Sequence, residues 1–254
     1  MKIRLLVAAA KIGFMILLAQ GLAAEAAEVK VIAGGGMRAV MDELGPQFER
    51  AMGHKLVIWY GHAGSIPRRI KAGEAFDLLV SGSLGLDEYT KQGKIAADTR
   101  TGIARVGMGV GARAGAPKPD ISSVDAFKRA LLNAKSVTYN PEGAPGIHLA
   151  GVLERLGIAQ QMKAKTKPVA KGVVQAVADG KAELGFAFTN EVLSVRGAEL
   201  VGPFPPELQR YTLFTAGVAT AAKQPEAAKA LIKFLRSPAA VAVIKAKGME
   251  PATP

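Results

Sequence analysis

The sequence predicts an α/β fold divided into two lobes, each a β-sheet flanked by helices. Three observations lead there. The opening third alternates β-rich runs with amphipathic stretches. A second β/α set follows the breaker Gly115-Ala-Pro-Lys-Pro119. A second breaker, Gly202–Pro206, precedes a last strand and two closing helices. The alternation of the opening third predicts a parallel sheet with helices packed on its faces.

Each element has a local reason. Val29–Ala33 is β-rich and enters Gly34-Gly35-Gly36. Met37–Met52 places Val40, Met41, Leu44, Phe48 and Met52 three or four residues apart, the spacing of one helix face, and Gly53 can cap its end. Leu56–Tyr60 is a strand, followed by Gly61-His-Ala-Gly64 and a helix from Ser65 that stops at Gly73. Phe76–Val80 is a strand and Leu84–Gln92 a helix ended by Gly93. Strand Ile103–Ala112 leads to the Gly115–Pro119 breaker, a candidate crossover. Helix Val124–Asn133, strand Ser136–Tyr139, helix Gly146–Leu156, strand Pro168–Ala170, helix Val173–Gly180 and strand Leu184–Phe188 make the second set. Strand Tyr211–Ala219 and helices Pro225–Leu235 and Pro238–Gly248 close the chain.

Composition narrows the function. Apolar residues at 49% and charged residues at 21% describe an ordinary globular chain. The absence of cysteine excludes disulfides, zinc–thiolate sites, iron–sulfur clusters and thiol nucleophiles. Residues 1–26 have the order of an export signal: Lys2 and Arg4, apolar Leu5–Ala10 and Ile12–Ala19, then Ala24-Glu25-Ala26 as a cleavage site. The apolar stretch is too short for a spanning helix, so the mature chain is expected to be released into the periplasm.

Three small-residue loops, Ala33–Gly36, Gly61–Ser65 and Asn140–Gly146, each connect a strand to a helix start. In an open α/β sheet that is where ligands gather, and glycine lets backbone amides approach an anion closely. The loops nominate Gly35, Gly36, Met37, Gly64 and Gly146, although tight turns alone also account for glycine there. Neither G-x-G-x-x-G nor G-x-x-x-x-G-K-[ST] occurs, and His54, His62 and His148 form no i, i+4 pair. No metal and no cofactor is expected. Arg38, directly after Gly36, is preferred over Arg68 as an anion-binding side chain, and Arg69 reads as solvated. The net charge of +12 is spread along the chain, with aromatics at 6%, so nucleic acid is not the expected partner. A basic surface suits a small anionic solute.

The signal, then Ala33-Gly-Gly-Gly-Met-Arg-Ala-Val-Met-Asp-Glu-Leu44, Ile70-Lys-Ala-Gly-Glu-Ala-Phe-Asp77, Asn140–Gly157 and Val177–Phe188 resemble the molybdate-binding periplasmic proteins of ABC transporters. The resemblance implies a type II periplasmic binding protein, a monomer whose lobes close on a solute and deliver it to a permease in the inner membrane. Its lobes would comprise residues 28–112 with 214–254, and 113–213. It would not be an enzyme. The family's contacts map to Gly36, Ala63 (with Ser65 two positions on), Pro145, Ala170 and Phe188. The family's serines and tyrosine are therefore replaced at Gly36, Ala63 and Phe188. Either Ser65 and Arg38 take over, or the solute differs. A small organic carboxylate and an exported enzyme using the same cleft are the alternatives.

Overall fold

The computed structural model describes residues 26–253. The export signal expected over 1–26 thus lies outside the described residues except for Ala26. The strands are β1 (Glu28–Gly34), β2 (Lys55–Gly61), β3 (Leu78–Gly82), β4 (Thr101–Arg113), β5 (Val137–Tyr139), β6 (Leu184–Phe188), β7 (Ala198–Pro203), β8 (Tyr211–Val218) and β9 (Glu250–Pro251). The α-helices are α1 (Arg38–Met52), α2 (Ser65–Lys71), α3 (Ser83–Lys91), α4 (Val124–Asn133) and α5 (Ala144–Arg155). They continue with α6 (Ala159–Lys163), α7 (Val173–Ala178), α8 (Thr189–Leu193), α9 (Pro225–Leu235) and α10 (Pro238–Ala246).

Strand order is β2-β1-β3-β8-β4-β6-β5, with β7 and β9 also pairing β4. β1 is parallel to β2 and β3, and β5 to β6. β8 is antiparallel to β3 and β4, and β4 is antiparallel to β6 and β7. The parallel pairing expected of the opening third is present in β1, β2 and β3, while β4, β7 and β8 make the whole mixed. β4 passes from one lobe into the other and β8 follows the return, and both run antiparallel to the strands they join.

β4 serves both lobes. Its residues up to Gly107 pair with β8, and from Met108 onward it pairs with β6. The passage between lobes thus lies inside a hydrogen-bonded strand, and the chain returns through Phe204–Arg210. Gly115, in the expected crossover, instead occupies a turn beyond β4 with a φ of 75°. The expected strand Pro168–Ala170 does not form. Proline has no N–H to extend a ladder, and what remains is two backbone hydrogen bonds, Lys167 N–H to Val137 O and Val169 N–H to Tyr139 O.

Local chemistry fixes the helix ends. Gly53 adopts a φ of 72° and terminates α1. The Ser123 and Ser237 hydroxyls accept from Ala126 N–H and Ala240 N–H at the starts of α4 and α10. The apolar face of α1 buries Val40, Met41, Leu44 and Phe48 in the core, and Phe48 meets Phe234 of α9 edge-on at 5.6 Å. In the second lobe Phe127, Phe186 and Phe204 pack together, with Phe127 and Phe204 centroids 4.9 Å apart. Asp77 is buried and accepts from the N–H groups of Lys30, Lys223 and Gln224 at 2.8, 2.7 and 2.9 Å. It pins β1 to the segment entering α9.

Candidate functional site

A cleft of about 1350 Å³ opens between the lobes. Its floor is aromatic. Phe188 closes β6 in the second lobe, Phe214 lies on β8 in the first, and the rings meet edge-on at 5.7 Å. The first small-residue loop lies against this pair. A Cβ on Gly36 would come within 2.8 Å of Phe214 and 2.9 Å of Phe188, so any larger residue there would push both rings aside.

Arg38 begins α1 and its guanidinium stacks 3.9 Å from the Tyr60 ring centre. The Tyr60 hydroxyl donates to Asp42 at 2.5 Å, and burial together with that carboxylate pushes its pKa up. Asp42 is thereby engaged, and Glu43 is engaged by Lys247 at 2.6 Å. Among the described residues Arg38, Lys171 and Arg210 line the cleft without a carboxylate partner.

In the second loop, Gly61, His62 and Ala63 line the cleft. Gly64 and Ser65 do not. The Ser65 hydroxyl accepts from His62 N–H at 2.9 Å, so it builds the turn. Gly64 N–H instead reaches across the lobes to the Glu142 carbonyl at 3.0 Å. Arg68 grips the Glu142 carboxylate bidentately at 2.9 and 2.6 Å, and His62 Nε2 lies 3.7 Å away. That hydrogen bond holds the Glu142 carboxyl below the usual carboxylate range. The lobes are shut along this edge. Arg69 is not solvated as expected: it stacks on Trp59 at 4.3 Å and pairs with Glu74.

The third loop contributes Asn140, Gly143, Ala144, Pro145 and Gly146 to the lining. A Cβ on Gly146 would stand 1.9 Å from the Asn140 carbonyl, so this turn needs glycine. Ala170 is exposed and outside the lining, with its carbonyl held by the Asn140 amide at 3.0 Å. Met37 is fully buried in the core beneath the first loop. Of the residues nominated from sequence, the fold brings Gly35, Gly36, Arg38, Ala63, Pro145, Gly146 and Phe188 to the cleft. It leaves Met37, Gly64, Ser65 and Ala170 off the lining.

Sequence reasoning missed Lys171, Arg210, Asn190 and Glu191. The last two sit on α8, which settles closely onto β4. A Cβ on Gly109 would be 2.9 Å from the Thr189 side chain, and one on Gly111 would be 3.1 Å from Val192. Asn190 Nδ2 donates to the Gly36 carbonyl at 2.7 Å, a further bond between the lobes. Glu191 Oε2 accepts from Phe188 N–H at 3.1 Å, and burial pushes its carboxyl up. No motif marks these four residues, and Phe188 has no side-chain acceptor to form a capping signal with Glu191 at the start of α8. Among the described residues no group of three or more His, Cys, Asp or Glu could hold a metal ion, and no helix is long and apolar enough to cross a membrane.

Two lobes joined through a shared strand and shut over a cleft with unpaired cations define a solute-binding protein of the type II periplasmic class. The chain belongs to the bacterial extracellular solute-binding proteins, whose family model matches residues 29–250. It is 34% identical over 228 residues to an aconitate isomerase from Pseudomonas sp, covering 87% of each chain. It is 32% identical over 238 residues to the molybdate-binding protein ModA of Azotobacter vinelandii, covering 89% of this chain and 91% of that one. The solved periplasmic molybdate-binding protein of Azotobacter vinelandii superposes with a TM-score of 0.72 at 22% identity, covering 89% of this chain and 99% of that one.

Proposed function

We propose that this chain is an exported, monomeric receptor that closes on a small organic polycarboxylate and delivers it unchanged to an ABC permease in the inner membrane. The observation that carries this reading is the lining itself. Arg38, Lys171 and Arg210 offer three positive charges in a cleft of about 1350 Å³, while the positions matching the family's hydroxyl donors are Gly36, Ala63 and Phe188. A desolvated tetrahedral oxyanion needs converging donors close around it, and without them its charge is costly to bury. Carboxylates spaced along a carbon skeleton suit separate cations better, because each can take a bidentate arginine or a lysine. The similarity to a protein named for aconitate, a tricarboxylate, supports the same choice.

The test is thermal denaturation of the mature chain with molybdate, tungstate, sulfate, succinate, citrate and trans-aconitate. A true ligand at 100 times its dissociation constant stabilises by about 2.7 kcal/mol. Stabilisation by a polycarboxylate supports the reading. Stabilisation by molybdate or tungstate with no response to any carboxylate refutes it.

One observation favours a second reading, that the cleft isomerises its tricarboxylate. Glu191 is a carboxyl at the cleft that burial pushes above its usual range, the direction that suits a general acid–base. Incubating trans-aconitate with the protein in heavy water separates the two readings. Deuterium entering the carbon skeleton supports catalysis, and an unlabelled bound ligand supports the receptor.

A further inference from the structure

Asn190 combines three features that no other residue of the cleft shares. Its side chain is 1% exposed, its residue lines the cleft, and among the described residues its Oδ1 has no hydrogen-bond partner. The orientation of the amide is fixed chemically. The Gly36 carbonyl can only accept, so Nδ2 faces it and Oδ1 is the free end. Native proteins rarely leave such an atom unmatched, because a buried acceptor forgoes its water.

Glu191, the next residue, brings a carboxyl to the same corner. Its Oε2 is used by Phe188 N–H, while Oε1 stands 3.8 Å from where a Cβ of Gly35 would be. No cation among the described residues pairs with this carboxylate. A deprotonated ligand carboxylate set against Asn190 Oδ1 would oppose lone pairs to lone pairs, whereas a hydroxyl would supply the missing hydrogen.

We infer that the Asn190–Glu191 corner reads a hydroxyl group, so that the ligand is a hydroxy-polycarboxylate in preference to its deoxy analogue. This rests on the polycarboxylate reading and deepens it. Arg38, Lys171 and Arg210 would hold the carboxylates while Asn190 Oδ1 accepts the hydroxyl proton. A polar site matched to a hydroxyl discriminates strongly against an analogue that lacks it, because the protein's acceptor is then left buried and unpaired.

The experiment is titration calorimetry on the mature chain with matched pairs, citrate against tricarballylate and malate against succinate. Each pair differs by one hydroxyl. The expected result is tighter binding of the hydroxy acid by about tenfold or more in at least one pair. Asn190→Ala should collapse that ratio toward one. Asn190→Ser also removes Oδ1 while keeping a short side chain that can donate a hydrogen bond. It should likewise reduce the ratio, and it preserves the test if Asn190→Ala does not fold. Equal or tighter binding of the deoxy acids by the wild-type protein overturns the inference while leaving the polycarboxylate reading intact. So does a hydroxyl preference that neither variant alters. Binding of molybdate with no response to any of the four acids overturns both.

Discussion

Replacing Gly36 with alanine tests the closed geometry most directly. The added Cβ would lie 2.8 Å from Phe214 Cζ and 2.9 Å from Phe188 Cδ2, where ordinary contact begins near 3.4 Å. Both rings would have to retreat by about half an ångström, and they already support each other edge-on. Overpacking of this kind costs about 1–3 kcal/mol. The two clashes belong to different states. Phe214 lies in the same lobe as Gly36, so its share is present whenever that lobe is folded. Phe188 lies in the other lobe, so its share arises only on closure. An even division gives a melting temperature lower by about 1–6 °C without ligand. The affinity for the best anion in the thermal screen should also fall by about 2- to 12-fold. Calorimetry and thermal denaturation on the same preparation measure the two parts. A lower melting temperature with unchanged affinity would refute the assignment of Phe188 to a closing contact, and no change in either would refute the packing itself.

Glu142→Gln removes the carboxylate that Arg68 grips across the lobes. Because this pair is exposed, ligand affinity should weaken only a few-fold, most clearly at low salt. The same pair sets a pH dependence. The Glu142 carboxyl titrates lower when held, so its contribution is complete above about pH 5 and disappears as the pH falls through the lowered value. Affinity measured downward from neutrality should therefore decline in the acid range, and the decline should be smaller in Glu142→Gln. Asp77→Ala leaves three buried N–H groups without their acceptor and should destabilise by about 3 kcal/mol or more, lowering the melting temperature with little effect on ligand specificity. Phe186→Ala empties the middle of the second-lobe aromatic cluster and should cost about 3–5 kcal/mol, read by denaturant titration. Arg38→Ala should reduce anion affinity at least tenfold while leaving the melting temperature of the free protein nearly unchanged, since the side chain is exposed and stacked on one ring.

Periodicity made the regular elements legible. The spacing of Val40, Met41, Leu44 and Phe48 identified α1 and its buried face, and Leu184–Phe188 matches β6 residue for residue. Strand direction was legible in the opening third, where β1, β2 and β3 are parallel, but not beyond it, because alternation of β and α says nothing about a strand such as β4 that runs onward into a second lobe. α8 escaped because five residues show no period. The site was half legible for a related reason. Glycine loops announce where backbone approaches a ligand, so Gly36 and Gly146 could be read directly. Which hydroxyl is spent on its own turn, as at Ser65, depends on hydrogen bonds that no spacing encodes. Asn190 and Glu191 reach the cleft because Gly109 and Gly111 leave room for α8 on β4, a relation between distant segments.

The thirteen residues of β4 have a mechanical consequence. With the halves of the protein strung on one rod, opening is a flexing of that rod and not a free swing on a tether, which confines the motion to few directions. It also ties their fates together. Melting either half strips the ladder from a segment continuous with the other, so heating should give a single cooperative transition in place of two.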